Sequence, residues 1–144
     1  MTMTPLSESD RRLIEEAQRI AQLRYVPRWN TVGSALRTES GRTYAAMHLD
    51  AAVGRVAVCA EMIALGMAVA AGDHRLDTIV AITRRGGERW EILAPCGMCR
   101  ELLSDYAPGL RVIVPAGEDA EAIGLADLLP LKREGAETYP LLGR

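Results

Sequence analysis

A mixed α/β fold, one sheet with helices packed against its faces, is the class this sequence predicts, and two observations carry it. Short β-favouring runs alternate with helical stretches along the chain, and the first two runs are joined closely enough to form a hairpin. A hairpin followed by strands separated by helices implies a sheet with both antiparallel and parallel neighbours. The length of 144 residues, with 49% hydrophobic and 25% charged, suits a single domain spanning 1–144.

Each element has a local reason. After Ser7, the residues Leu13, Ile14, Ala17, Ile20 and Ala21 recur at helical spacing, and Glu8 and Asp10 sit where the helix dipole favours acids, so a helix is expected from about Glu8 to Leu23. Val32–Arg37 and Arg42–His48 are strand-like runs joined through Glu39-Ser40-Gly41, where Gly41 can take a positive φ. From Val58 to about Ala71 the chain is almost wholly apolar and closes at Gly72, which predicts a central helix buried on most sides. Thr78–Thr83 and Trp90–Leu93 read as strands separated by an Arg84-Arg85-Gly86-Gly87 turn, with Pro95 stopping the second. A helix over about Gly97–Tyr106 ends before Pro108-Gly109, Arg111–Val114 is the last clear strand, and Leu125–Leu129 forms a short helix stopped by Pro130. About five N-terminal residues and the tail beyond Lys132 are expected to be loosely held.

Composition narrows the partners. Seventeen basic against 19 acidic side chains give a net charge of −2, which offers no overall attraction to a nucleic-acid polymer and favours a small-molecule substrate. The longest apolar run, Ile63–Ala71, is interrupted by Gly66 and is too short to span a bilayer, so no membrane partner is expected. Three cysteines, an odd number, and an N-terminus without an apolar segment support neither a disulfide framework nor secretion; a cytoplasmic setting is the expectation.

The three cysteines sit in two short motifs, Cys59-Ala60-Glu61 at the start of the central helix and Pro95-Cys96-Gly97-Met98-Cys99 at the start of the next. Cys96 and Cys99, three apart, project from one side of a helix start and can reach one metal ion, with Cys59 as a third thiolate. Helix N-termini bring positive dipole ends and free N–H groups, which favour the deprotonated sulfur that a metal requires. Three protein ligands leave zinc an open position for water, the arrangement of a catalytic rather than a structural site. Glu61, two residues beyond a ligand, is placed to carry protons without being a ligand, provided that Cys59 lies in the first turn. A structural Cys₃His zinc site recruiting His48 or His74, or three merely buried cysteines, are the competing readings.

At these residues the chain resembles the cytidine deaminase superfamily, specifically its small free-nucleoside branch of cytidine deaminase-like and blasticidin S deaminase-like proteins. The resemblance rests on CAE paired with PCGMC, and it extends through VGSAL, TIVAI, PCGMCRELL and LADLLP to nearly the whole chain. It implies a three-layer α-β-α fold with a mixed five-stranded sheet, a Zn²⁺ cofactor on Cys59, Cys96 and Cys99, and hydrolytic deamination with Glu61 as proton carrier. It further implies that the Ala60 backbone N–H meets the base carbonyl, that the Pro95 carbonyl faces the amino group, and that the protein is a homotetramer.

Three positions depart from the family pattern. Where cytidine deaminases carry Asn-x-Glu against the ribose, this chain has His48-Leu49-Asp50, two side chains expected on one face of a strand, each either a substrate contact or a satisfied strand residue. The family Phe that stacks on the base falls near Asn30, with Trp29 adjacent; Trp29 either caps the pocket or packs against the first helix, and the chain has no Phe at all. The Arg after C-A-E is Met62 here, leaving Arg100 or Arg55 to offset the thiolate charge. The function expected is deamination of a cytidine-like nucleoside or a blasticidin S-like antibiotic. The alternatives are a non-ribosylated amino-heterocycle as substrate, or a non-catalytic zinc- or ligand-binding protein on the same fold.

Overall fold

The computed structural model describes residues 1–84, 88–135 and 137–142. Seven strands join one sheet: β1 (Met3–Thr4), β2 (Val32–Thr38), β3 (Thr43–Met47), β4 (Leu76–Thr83), β5 (Glu91–Leu93), β6 (Arg111–Ala116) and β7 (Asp119–Gly124). Three helices, α1 (Glu8–Arg24), α2 (Ala60–Ala70) and α3 (Gly97–Tyr106), and two 3-10 turns, Gly54–Val56 and Leu125–Leu128, complete the described elements. The strand order is β1-β7-β6-β4-β2-β3, and β5 pairs with β4. Only β4 and β6 run parallel; every other pair is antiparallel, so the sheet is mixed as expected.

The expected count of five strands is corrected to seven. Met3–Thr4, expected to be loose, pairs with Ile123 and Ala122 at the sheet edge, and Asp119–Gly124 forms a hairpin with β6 around Gly117, whose φ is +62°. Neither segment has a strong β pattern; pairing against an existing edge decides both. Gly41 takes the positive φ the first hairpin needs, at +86°. Of the second turn, residues 85–87 lie outside the described residues, and Arg84 places its guanidinium 5.4 Å from the Trp90 ring centre.

Alternation along the strands builds two cores. Leu36, Ile79 and Val112 face one side with Ala64, Leu65, Ala68, Cys99 and Leu103, while their neighbours Ala35, Val80 and Ile113 face the other with Leu13, Ala17 and Ala21. The sheet is thus a layer between α1 on one face and α2 with α3 on the other, the expected three-layer arrangement.

Helix α1 begins in a capping box: Asp10 N–H donates to Ser7 Oγ at 3.1 Å and Ser7 N–H to Asp10 Oδ2 at 3.0 Å. Helix α2 is buried along Ala60, Glu61, Ala64, Leu65 and Ala68 but exposes Gly66, Met67 and Ala70, so burial on most sides is corrected to burial on one apolar face. Within the tail beyond Lys132, expected to be loose, Tyr139 is held: it packs its ring 4.3 Å from that of Tyr106 and lies 3.3 Å from His74 Nδ1 through its hydroxyl. His74 is therefore half-buried.

Candidate active site

Two helix starts meet on the α2/α3 side of the sheet. Cys59 is the cap residue of α2 and Cys96 that of α3, both with extended backbone, and the Cys96 sulfur lies beside the first-turn N–H groups of Met98 and Cys99. Cys99, in the first turn of α3, is wholly buried, whereas Cys96 is exposed and Cys59 half-buried. The three sulfurs lie within 4.8 Å of one another, and no histidine nitrogen joins the group among the described residues. The Cys₃His reading is thereby corrected, because the Nδ1 of His48 is engaged by backbone N–H groups and His74 packs against Tyr139.

The donor set fits zinc. Cys59 Sγ and Cys96 Sγ are 3.6 Å apart, close to the separation of about 3.8 Å that tetrahedral bonds of about 2.3 Å set between two sulfurs. The electrostatics point the same way. Burial pushes the thiols of Cys99 and Cys59 above their ordinary range, and the neighbouring Glu61 pushes both further. Burial also acts to raise Cys96, but the backbone N–H groups of Cys99 and Met98 and the adjacent thiols bring it below its ordinary value. Acidic groups crowded together resist ionising together, and a divalent cation at their centre reverses that preference.

Glu61 stands in the first turn of α2, 6% exposed. Burial raises its carboxyl above the usual carboxylate range, against hydrogen bonds from its own backbone N–H and from Cys99. The condition that Cys59 lie at the helix start holds, and it lets residues 59 and 61 both reach the same space.

Pro95 is buried, and its carbonyl accepts from Arg100 Nε at 2.8 Å; Arg100 also donates through a terminal nitrogen to the Leu128 carbonyl at 3.0 Å. The oxygen of Pro95 keeps a second lone pair, and Arg100 becomes a strut between the cysteine loop and the second 3-10 turn, a role that its place in the sequence does not announce. Arg55, the other candidate for offsetting the thiolate charge, lies exposed in the first 3-10 turn.

Trp29, Asn30, His48 and Asp50, four of the residues at those departures, are gathered by hydrogen bonds. A tight turn at 26–30, with Arg28 at a φ of 70°, is closed by Val26 N–H to Asn30 O at 3.0 Å. Asp50 N–H donates to Trp29 O at 2.9 Å, and Asn30 Nδ2 to His48 O at 2.9 Å. Leu49 pairs with Val58 through two 2.9 Å bonds, which places this assembly one residue from Cys59. Strand β3 ends at Met47, so His48 and Asp50 lie just beyond it, not on the strand as expected. Trp29 is 41% exposed, with the Arg28 guanidinium 4.6 Å from its ring centre; Arg28 is a neighbour that sequence spacing did not single out. Asp50 spends Oδ1 on the Ala51 N–H at 2.7 Å.

Comparison with known proteins agrees with this geometry. Residues 7–114 match the model of the family described as the cytidine and deoxycytidylate deaminase zinc-binding region. Blasticidin-S deaminase of Bacillus cereus is 39% identical over 131 residues, which cover 88% of this chain and 94% of that protein. The crystal structure of cytidine deaminase from Burkholderia pseudomallei is similar with a TM-score of 0.70 and 29% identity over 87% of this chain and 98% of that one. Cytidine deaminase from Mycobacterium leprae gives a TM-score of 0.71 and 28% identity over 83% and 96%.

Proposed function

The chain belongs to the cytidine and deoxycytidylate deaminase family, and from that premise we propose that it hydrolyses the exocyclic amino group of a cytidine-like nucleoside or a blasticidin S-like nucleoside antibiotic. The observation that carries this reading is the convergence of the Cys59, Cys96 and Cys99 sulfurs beside the buried Glu61. The thiolates of Cys59, Cys96 and Cys99 would hold zinc, which would supply a Lewis acid that brings the ionisation of water close to neutral pH.

The chain's own groups do the rest. Glu61 takes a proton from water and gives it to the ring nitrogen as the C–O bond forms, then carries the proton of the new hydroxyl to the amino group, so that the C–N bond breaks, the C–O bond becomes a carbonyl and ammonia leaves. A carboxyl raised by burial is matched to both accepting and returning that proton. Ala60 N–H, at the start of α2 where no intrahelical acceptor exists, is available to the base carbonyl. The second lone pair of the Pro95 carbonyl is available to the amino group. Trp29 offers an aromatic face in place of the missing Phe, Asn30 is braced by its bond to His48 O, and His48 and Asp50 stand where a sugar or its replacement meets the site.

We assign the protein a cytoplasmic setting, one domain over 1–144, and a homotetrameric assembly that acts on a small molecule rather than a nucleic-acid polymer or a membrane. Its apolar residues support the assembly: Met67, Met98, Val53 and Val56 are between 41% and 65% exposed. Among the described residues no helix is long and apolar enough to cross a membrane. Light scattering checks the assembly, and a fully active monomer refutes it.

Ammonia release from cytidine, deoxycytidine, blasticidin S, cytosine and guanine tests the reaction. Glu61→Gln is expected to retain zinc and lose turnover by roughly 10²- to 10⁴-fold, the usual worth of a positioned acid–base group. Silence of the zinc-loaded wild type across the panel overturns the reading in favour of a non-catalytic binder.

A further inference from the structure

His48 uses almost every polar atom it has on the backbone around it. Its N–H donates to Val32 O at 2.9 Å, and its carbonyl accepts from Asn30 Nδ2 at 2.9 Å. Its ring Nδ1 accepts from two backbone donors, Thr31 N–H at 3.0 Å and Val32 N–H at 3.1 Å. A nitrogen facing two N–H groups carries no proton of its own, so the ring is neutral with its hydrogen on Nε2. Burial acts in the same direction, lowering the ring's tendency to protonate against the pull of Asp50. Nε2 has no partner among the described residues and is not a buried orphan, so it is the single polar atom of His48 left for anything else.

The consequence is mechanical. The bonds to Nδ1 join the start of β2 to segment 48–50, and that segment is joined to Val58, the residue before Cys59. The turn bearing Trp29 and Asn30 leads directly into residues 31 and 32. We infer that His48 is a positioning residue of the substrate pocket: through Nδ1 it sets the spacing between the Trp29–Asn30 turn, Asp50 and the cysteine centre. To a ligand the imidazole offers only a donor, Nε2–H, where the family pattern expects an Asn-x-Glu pair. This rests on the reading of the cysteine centre as the site of deamination.

The chain has two histidines, so long-range ¹H–¹⁵N spectra of wild type and His48→Asn assign each ring without ambiguity. A bare Nδ1 and a protonated Nε2 on His48 are expected; a protonated Nδ1 overturns the clamp. Kinetics on the zinc-loaded protein test its purpose. His48→Leu is expected to raise KM roughly tenfold, the fold-change that loss of a net hydrogen bond produces, with kcat within about twofold and zinc content unchanged. His48→Asn sets its Oδ1 where Nδ1 stood and is expected to restore KM to within about threefold, whereas His48→Gln, whose oxygen lies one bond further out, is not. An unchanged KM in His48→Leu overturns the proposal, as does an Asn variant no better than the Gln variant, and that second comparison still decides if the Leu variant fails to fold. If wild-type protein turns over no substrate, the deaminase reading is what fails, and the spectrum still decides the clamp.

Discussion

Cys59 and Cys96 occupy equivalent places on two helices: each is the residue before a first turn, and their sulfurs face each other across 3.6 Å. One site is thus made from two helix starts separated by 37 positions in the chain. Neither helix can shift along its axis without opening the site, so metal and fold are coupled.

That coupling predicts the effect of losing the metal. One zinc per chain is expected by elemental analysis, and chelation lowers the melting temperature. Cys59→Ala and Cys96→Ala should abolish stoichiometric zinc while leaving helix and sheet signals by circular dichroism intact. Cys99→Ala should lose the metal and in addition some stability of the metal-free protein, because Cys99 alone of the three is wholly buried. A Cys59→Ala protein that still holds one zinc per chain refutes the ligand set.

Asp10 governs behaviour in acid. It is wholly buried and accepts from Arg37 at 2.9 Å, from Arg111 at 3.1 and 2.9 Å, and from Ser7 N–H at 3.0 Å. Burial acts to raise its pKa, but these donors outweigh it and hold the carboxyl well below the usual carboxylate range. A depressed folded pKa stabilises the fold fully above the unfolded value, about 3.9, and that contribution is lost as pH falls through the folded value. Asp10→Asn should cost about 3–5 kcal/mol at neutral pH, since it leaves Arg37 and Arg111 without their buried partner. Urea unfolding at several pH values should show the gap from wild type narrowing below pH of about 4; a constant gap contradicts the assignment.

Close packing of α1 depends on one glycine. A Cβ at Gly33 on β2 meets Ala21 Cβ at 2.9 Å and the Ala17 carbonyl oxygen at 3.0 Å, and the backbone atom cannot swing aside. Gly33→Ala should therefore destabilise by about 1–3 kcal/mol through overpacking. Adding Ala21→Gly removes the nearer obstacle and should recover part of the loss in the urea midpoint. Additive losses in the double variant contradict a shared contact.

Some of this molecule is written locally. The cysteine pair at spacing three, the place of Cys59 at a helix start, the adjacent Glu61 and the Gly41 turn depend on neighbours within one turn of helix or one hairpin; the structure has Cys59 at the start of α2, as its cap, and Gly41 at a positive φ. The strong alternation of Leu36, Ile79 and Val112 against Ala35, Val80 and Ile113 likewise carries its own instruction about which face is which.

The sequence by itself determined the two motifs, the main helices and strands, and the layered α/β class, because capping, periodicity and ligand spacing act over a few residues. Tertiary structure alone decided the rest. Strands Met3–Thr4 and Asp119–Gly124 exist because an edge was there to pair with. Asp10, an ordinary first-turn acid in the sequence, became the buried partner of two arginines 27 and 101 residues away. His48 became a backbone clamp because β2 brings Thr31 and Val32 N–H groups to its ring. In each case the deciding partner is distant in the chain, and only the folded sheet supplies the direction from which it approaches.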